Sequence, residues 1–285
     1  MAVVGVICHH ERAQVVELAR DAAGWLEARG HEVLLPVKDA ALVGRPELGA
    51  VEATFSRGLD VAVSLGGDGT MLRTVALVSA DGVPVIGVNV GQLGYLSEVE
   101  PSGLRMALKR FLAGSYEIEE RMMLDVLVEA EAFEAGPRHR ALNEAVLEKT
   151  PMGHTVRLGV AVDGETFTPY AADGLIAATP TGSTAYAFSA RGPIVEPTHR
   201  CLLMTPVSPH MLFDRSLIFA PSARVRIEVL GHRPATLSVD GCNLGTLHAG
   251  DAVSCTAADV STRLVTFGAR DFLGILKSKF GLSDR

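Results

Sequence analysis

The sequence is poor in several features that mark large classes of protein. Aromatic residues make up 5% of its 285 residues, which argues against a stacking surface for nucleic-acid bases. The formal net charge is −7, whereas nucleic-acid binding generally requires a basic face. No run of about eighteen apolar residues occurs, so we expect no membrane-spanning helix. These shortages disfavour nucleic acid and membranes as partners.

Motifs for several common chemistries are also missing. No Cys-x-x-Cys pair occurs among Cys8, Cys201, Cys242 and Cys255, and this wide spacing favours free thiols over disulfides or a zinc site. The first residues lack the basic segment of a secretory signal, so we expect a cytoplasmic protein. The Walker A motif, the Gly-x-Gly-x-x-Gly fingerprint, the Gly-x-Ser-x-Gly elbow and the His-Glu-x-x-His motif are absent.

Hydrophobic residues, in contrast, make up 48% of the chain, enough to build the cores of two domains. A strand at residues 3–7, a helix at 11–29 and a strand at 33–35 predict an α/β domain with a parallel, Rossmann-like sheet. Farther along, short strands separated by turn residues predict a β-rich, sandwich-like C-terminal domain. Asp163-Gly164, between two strand-like runs, predicts a type I′ hairpin.

We place the domain limits where the pattern changes. Residues 1–114 form the predicted α/β domain, residues 115–258 the β-rich domain, and residues 259–285 a strand and helix that pack back on the first domain. The amphipathic helix in this last segment is predicted at residues 271–280. His9 and His10, which follow the first strand, are expected to be solvent-exposed loop residues.

One stretch joins a buried strand, Val61–Leu65, to a turn of three glycines and one carboxylate. Glycines let the backbone approach a ligand closely, and the N–H groups there bind anions together with the next helix N-terminus. The residues of this predicted phosphate-binding turn are Gly66, Gly67, Gly69 and Thr70. Asp68 is then a catalytic carboxylate or, alternatively, a helix cap. Arg73 lies one turn into the helix, either as a phosphate contact or on a solvent-exposed face.

Two later segments are candidates for ligand binding. The adjacent amide and carboxylate of Asn143 and Glu144 could hold a diol, or could be a pair at a strand edge. The stretch Asp173–Tyr186 crowds hydroxyl and backbone N–H groups around a turn and adds an aromatic ring. It suits a polar ligand with a flat base, or is a capped strand-to-helix turn.

These segments together resemble the NAD kinase (ATP-NAD kinase) family over nearly the whole chain. The matching motifs are Gly66–Thr70, Asn89–Leu96, Asn143-Glu144 and Asp173–Tyr186, in the family's order and approximate spacing. Pro209-His210, Arg215 and Ser238–Gly241 resemble its later landmarks. Lipid kinases and phosphofructokinases share Gly-Gly-Asp-Gly, but the second and fourth motifs together are highly specific.

The resemblance implies transfer of the γ-phosphoryl group of ATP, or of polyphosphate, to the 2′-hydroxyl of the adenosine ribose of NAD. Asp68 matches the proposed proton acceptor, while Asn143 and Glu144 match the pair that holds the ribose hydroxyls. The resemblance further implies Mg²⁺ or another divalent metal near Asp68, and a homodimer or homotetramer. Besides Asp68, the implied NAD-binding residues are Gly69, Arg73, Asn143, Glu144, His154, Asp173, Thr181, Thr184, Ala185, Tyr186, Ala187, Phe188 and Ser189.

Three positions depart from the family pattern, and two other functions stay open. Arg191 stands where the family usually has glycine, Cys242 stands where many members have glutamine, and Gln92 occupies a variable position often filled by arginine or glycine. A lipid kinase of the diacylglycerol or sphingosine type would share the glycine turn, although no basic amphipathic helix with an aromatic face is present. A non-catalytic NAD-binding regulator is the second alternative, although a pure sensor would not need Asp68.

Overall fold

The computed structural model describes residues 1–91, 94–131, 133–134, 136, 138–150, 154–268 and 271–282. Gln92 and Leu93 of the second motif lie outside the described residues. The chain divides into two compact units. Unit 1 comprises Met1–Glu120 and Thr262–Arg285, and unit 2 comprises Arg121–Ser261. The limits of these units fall after residues 120 and 261, and the domain limits after residues 114 and 258 stay a prediction.

Unit 1 is built on a parallel sheet of short apolar strands. The strands are β1 (Val3–Cys8), β2 (Glu32–Pro36), β3 (Gly49–Ala50), β4 (Val61–Gly66) and β5 (Val85–Asn89). Their order is β3-β2-β1-β4-β5, and Leu264 pairs in parallel with Val85 at the β5 edge. All residues of β4 and β5 are buried, which explains their continuous apolar sequences.

Helices connect these strands. They are α1 (Ala13–Glu27), α2 (Val37–Val43), α3 (Asp68–Val78) and α4 (Leu104–Leu112). In α1 the helical spacing buries Val15, Ala19, Ala22 and Leu26, which join the apolar side chains of the sheet in one core. Short 3₁₀ turns lie at Pro46–Leu48, Glu52–Thr54, Ser79–Asp81 and Pro101–Gly103.

Unit 2 is a sandwich of two antiparallel sheets. Its strands are β6 (Glu117–Glu129), β7 (Arg138–Ala141), β8 (Glu144–Lys149), β9 (Val156–Val162), β10 (Glu165–Ala172), β11 (Gly174–Ala178), β12 (Leu202–Val207), β13 (Leu217–Phe219), β14 (Val225–Leu230), β15 (Ala235–Val239), β16 (Cys242–Leu247) and β17 (Ala252–Thr266), of which β6 and β17 extend past the limits of the unit. One sheet has the order β7-β6-β17-β14-β9-β10 and the other β13-β12-β11-β8-β15-β16. Apolar residues of both sheets, such as Leu158 and Leu175, share one buried cluster.

Two hairpins of unit 2 turn on Asp-Gly pairs. Asp163 and Gly164 join β9 to β10 with φ of 52° and 88°, which confirms the predicted type I′ turn. Asp240 and Gly241 join β15 to β16 in the same way, with φ of 46° and 78°. The second hairpin was not predicted, and it bears on the candidate site.

Two further helices complete the chain. After a 3₁₀ turn at Thr181–Thr184 comes α5 (Tyr186–Ser189), and α6 (Phe272–Phe280) lies in unit 1. The Asp271 carboxylate caps α6 by accepting a hydrogen bond from Gly274 N–H. No helix in the described ranges is both long and apolar enough to cross a bilayer. An α/β unit with a parallel sheet and a β-sandwich unit confirm the predicted fold class.

Candidate active site

In unit 1 a cleft opens where β4 meets α3. Gly67 is extended, and α3 begins at Asp68, so the first N–H groups of the helix face this opening without helical partners. We call it the Asp68 cleft. Its volume is about 490 Å³, and it is lined by Cys8, His9, His10, Glu11, Arg12, Gly67, Asp68, Gly69, Thr70 and Arg73.

The Asp68 carboxylate is held by the loop that follows β5. Tyr95 N–H donates to Oδ2 at 2.9 Å, and Leu96 N–H donates to Oδ1 at 3.2 Å. A Cβ on Gly94 would lie 2.2 Å from Oδ1, so the side chain occupies space that only glycine leaves open. Burial and the nearby Asp68 charge raise the pKa of Tyr95. The glycine motif and the second motif thus meet at one carboxylate.

Glycine is required inside the predicted phosphate-binding turn for the same steric reason. A Cβ on Gly66 would lie 2.2 Å from Thr70 Oγ1, so the turn closes only around a bare backbone. Gly69, in contrast, is exposed, and its missing side chain leaves the helix N-terminus open. An open helix start with free N–H groups is a favourable place for a phosphate.

Arg73 lines the cleft, but its guanidinium is bound by the protein itself. Nη2 lies 2.7 Å from Asp39 Oδ1, and Nη1 lies 3.1 Å from Asp39 Oδ2. The Asp39 side chain is fully buried, and its Oδ2 also accepts Cys8 N–H at 2.7 Å. His10 Nε2 lies 2.8 Å from Asp39 Oδ1. The side chain of His10 is exposed, as expected, but its contact with Asp39 was not predicted.

In unit 2 the Asp240 carboxylate organises the backbone around Asn143 and Glu144. Its Oδ2 accepts Leu142 N–H at 2.7 Å, and its Oδ1 accepts the N–H groups of Asn143 and Glu144 at 2.8 and 3.1 Å. Burial raises the pKa of Asp240 against the opposing effect of these three donors. The turn after β15 therefore fixes the start of β8, where the predicted diol-binding pair lies.

Glu144 is a buried acid with unused hydrogen-bonding capacity. Its side chain is 7% exposed, and Oε2 has no partner within the described part of the protein. Burial, followed by the charge of Asp240, raises the pKa of Glu144 to about 8, although Tyr186 N–H opposes this shift. Such a group can exchange hydrogen bonds with the hydroxyls of a ligand, because a ligand would supply the missing partner.

The fourth motif packs on this same backbone. Thr179 N–H donates to Asn143 O at 2.9 Å, and Thr179 Oγ1 donates to Leu142 O at 2.5 Å. A Cβ on Gly182 would lie 2.2 Å from Asn143 O, so glycine is needed there. The structure thus brings the two distant polar segments of unit 2 together.

The other predicted residues of unit 2 differ in their burial and in their hydrogen-bond partners. Asp173 Oδ1 pairs with Lys149 Nζ at 2.8 Å, and burial followed by the charges of Glu148 and Asp173 raises the pKa of Tyr186. Thr181 Oγ1 accepts a hydrogen bond from the buried Arg121 at 3.3 Å. Thr184 Oγ1 donates to Thr181 O at 3.2 Å. Ala185 is half-buried, and Ala187 is buried in a small apolar cluster. The exposed residues of the set are His154, Phe188 and Ser189.

Sequence reasoning missed the carboxylates that hold the site. Asp39 is an ordinary residue of a weakly patterned segment, and Asp240 was noted only as a family landmark. The Asp-Gly pair at 240–241 is the signal that could have located the second, because the same pair marks the hairpin at 163–164.

The protein by itself offers few ligands to a metal. No group of three histidine, cysteine, aspartate or glutamate side chains suited to metal binding occurs in the described ranges. Mg²⁺, however, is commonly bound through one or two carboxylates and the phosphates of a substrate. Asp68, beside an open helix N-terminus, fits that mode.

We compared the sequence with models of known protein families. Residues 4–116 match the sequence model of the ATP-NAD kinase N-terminal domain, and residues 142–267 match that of the C-terminal domain. The chain belongs to the ATP-NAD kinase family. Both models describe ATP-NAD kinases, which confirms the resemblance and sets the lipid-kinase alternative aside.

Relatives within the ATP-NAD kinase family match along the whole chain. The NAD kinase of Heliobacterium modesticaldum is 43% identical, over 98% of this chain and 98% of its own length. That of Syntrophotalea carbinolica is 40% identical, over 98% of this chain and 97% of its own length. These NAD kinases are phosphotransferases, in agreement with the predicted enzyme class.

Solved ATP-NAD kinase structures share the fold. A yeast NADH kinase complexed with NADH matches with a TM-score of 0.91 and 25% identity, covering 100% of this chain and 89% of its own. An NAD kinase from Archaeoglobus fulgidus in complex with ATP matches with a TM-score of 0.76 and 23% identity over the full length of both chains. The second likeness supports the fold alone.

Proposed function

We propose that this protein transfers the γ-phosphoryl group of ATP to the 2′-hydroxyl of the adenosine ribose of NAD, giving NADP and ADP. The observation that carries the proposal is the Asp68 carboxylate, fixed by the N–H groups of Tyr95 and Leu96 at the open start of α3. The ribose oxygen attacks the γ-phosphorus, its proton passes to Asp68, and ADP leaves with the bonding electrons.

On the acceptor side, Asn143 and Glu144 hold the ribose hydroxyls. Support comes from Glu144 Oε2, which is buried without a partner among the described residues, and from the three N–H bonds by which Asp240 fixes the pair. A hydroxyl is a poor nucleophile, so its orientation supplies much of the rate increase. Asp173, Tyr186 and the neighbouring turn would then contact the rest of the dinucleotide.

On the donor side, the glycine turn binds phosphate oxygens through backbone N–H groups. In the alternative role of Asp68, its carboxylate would hold Mg²⁺ together with these phosphates instead of accepting the proton, and the ion would neutralise their charge. The remaining predicted NAD contacts, from His154 to Ser189, stay part of this proposal. So do a cytoplasmic location and a homodimer or homotetramer.

A product assay tests the proposal directly. The purified chain is supplied with NAD and Mg-ATP, and NADP is measured with an NADP-specific dehydrogenase. We expect NADP to form, with parallel reactions on NADH and polyphosphate defining the accepted substrates. Retained NAD binding without any product, under all donors, would favour the non-catalytic regulator instead.

A further inference from the structure

The two arginines of the Asp68 cleft are in opposite situations. Arg73 faces Asp39 through two nitrogens, Nη1 also lies 3.4 Å from Cys8 O, and Nη2 lies 3.5 Å from Glu52 Oε1. Four of its five N–H groups are on these two nitrogens, so only Nε–H is outside these contacts. The buried Asp39 balances the charge of Arg73, and the two terminal nitrogens already have acceptors. Arg73 therefore contributes little charge and few hydrogen bonds to the binding of an anion.

Arg12 lines the same cleft, and its guanidinium N–H groups are still available to a ligand. In the described part of the chain no carboxylate or carbonyl accepts a hydrogen bond from its guanidinium. The group packs against the backbone of Gly91, where a Cβ would lie 2.0 Å from Nη1. Gly91 also has φ of 131°, a conformation that favours glycine. The half-buried Arg12 is thus placed without being neutralised.

The charges of the cleft show why such a group is needed. Asp68 and Glu11 are both carboxylates of its lining, and each repels a phosphate chain. The start of α3 offsets only part of this repulsion, since a helix N-terminus carries about half a positive charge. Arg12 supplies the permanent charge that Arg73 does not.

We infer that Arg12 is a phosphate-binding residue of this site, and that it contacts the oxygens of a di- or triphosphate chain. The inference rests on the proposed function and deepens it by locating the cation that receives the phosphates. Arg73 then serves mainly to tie α3 to the buried Asp39, and thereby to set the cleft wall.

Binding of inorganic tripolyphosphate, measured by calorimetry at two salt concentrations, tests this role. Arg12→Gln should weaken binding by about 10- to 100-fold, the usual effect of losing charge-assisted hydrogen bonds, and should reduce its salt dependence. Arg12→Lys should recover part of the affinity, because it keeps the charge but not the planar fork. The control Arg29→Gln removes a charge stacked on Trp25 and should bind within about twofold of the parent.

Kinetics on the same variants separate the possible phosphate sources. A rise in KM for ATP assigns Arg12 to the donor, and a rise in KM for NAD assigns it to the dinucleotide. Parent-like tripolyphosphate affinity and parent-like KM values in Arg12→Gln would overturn the inference, as would a parent that does not bind tripolyphosphate. If the parent binds tripolyphosphate through Arg12 but makes no NADP, the proposed function fails and the phosphate site stands.

Discussion

The two acidic residues at the centre of the proposed chemistry lie in contrasting surroundings. Asp68, in unit 1, is half-buried at an open helix start, and N–H groups reach both of its oxygens. Glu144, in unit 2, is buried beside a second carboxyl group, and one oxygen has no partner within the described residues. The protein itself thus fixes both oxygens of Asp68, whereas under the proposed function a ligand hydroxyl supplies the partner that Glu144 Oε2 lacks. Substitutions should therefore have different effects in the two units.

The largest effect is expected at Asp68. Asp68→Asn keeps the shape of the side chain but removes the proton acceptor, so kcat should fall by about 10²- to 10⁴-fold. Steady-state NADP formation measures this. Tripolyphosphate should bind at least as tightly as to the parent, because a repelling charge is lost, and this checks that the cleft is intact. Asp81→Asn, which alters a contact with Ser56 in the same unit, is the matched control. A kcat within about threefold of the parent would contradict the role of Asp68.

Asp240→Asn should affect the surroundings of Glu144 in unit 2. The amide leaves at least one N–H of the Leu142–Glu144 backbone without an acceptor, which costs about 1–3 kcal/mol of unfolding free energy. The KM for NAD should rise by about tenfold while the KM for ATP changes little, since roughly 1.4 kcal/mol is a tenfold effect.

Asp163→Asn is the control for Asp240→Asn, because it lies at the same place in the other Asp-Gly hairpin and accepts Arg224 N–H at 2.8 Å. Asparagine tolerates the left-handed conformation at both positions, so a difference between the two variants is not due to backbone strain. Equal KM changes in the two variants would remove the specific role of Asp240.

Glu144 predicts a pH dependence of stability. Its pKa rises from 4.5 to about 8 on folding, so between these values the folded state keeps a proton that the unfolded state has released. The unfolding free energy of the parent should therefore fall as pH rises through this window. Glu144→Gln removes this penalty and should be more stable than the parent by roughly 2–4 kcal/mol at pH above 8, but not at pH below 4.5.

Urea unfolding of the parent and Glu144→Gln across this range measures the difference, with the exposed Glu165→Gln as control. Parallel pH profiles for the parent and Glu144→Gln would contradict a raised pKa. In Glu144→Gln the affinity for NAD should be lower than in the parent, whereas the affinity for ATP should be unchanged, because only the contact with the ribose of NAD is altered.

The smallest effect is expected at Arg191. This residue has φ of 65°, a left-handed conformation that favours glycine. The strain of a side chain there slightly exceeds the entropy that glycine would lose on folding. Arg191→Gly should stabilise the protein by up to about 1 kcal/mol. Ala190→Gly, next to it at φ of −85°, should destabilise by about 0.5–1 kcal/mol. Thermal unfolding measures the stability change in each variant. If both glycine variants shifted the unfolding temperature in the same direction, the strain explanation at Arg191 would be rejected.

Local patterns predicted much of the fold. The strand-helix alternation of unit 1, the hairpin at Asp163-Gly164 and the glycine turn before Asp68 follow from residues close in sequence. The supporting contacts could not be predicted in this way. Asp240 lies 98 residues from Leu142 in the chain, and Asp39 lies 34 residues from Arg73, so both contacts depend on the finished packing. Arg12 becomes informative only once Arg73 is seen to be neutralised.

Unit 1 is discontinuous, and this has a consequence for synthesis. Unit 2 is one continuous segment, whereas Leu264, which pairs with Val85, and Lys279, which lies 4.6 Å from the ring centre of Tyr95, are translated after it. On a ribosome the second unit can therefore fold first, while the loop that holds Asp68 waits for its last contacts. A chain that ends at residue 261 would contain the proposed ribose-binding residues Asn143 and Glu144 without the contacts that Leu264 and Lys279 make in unit 1.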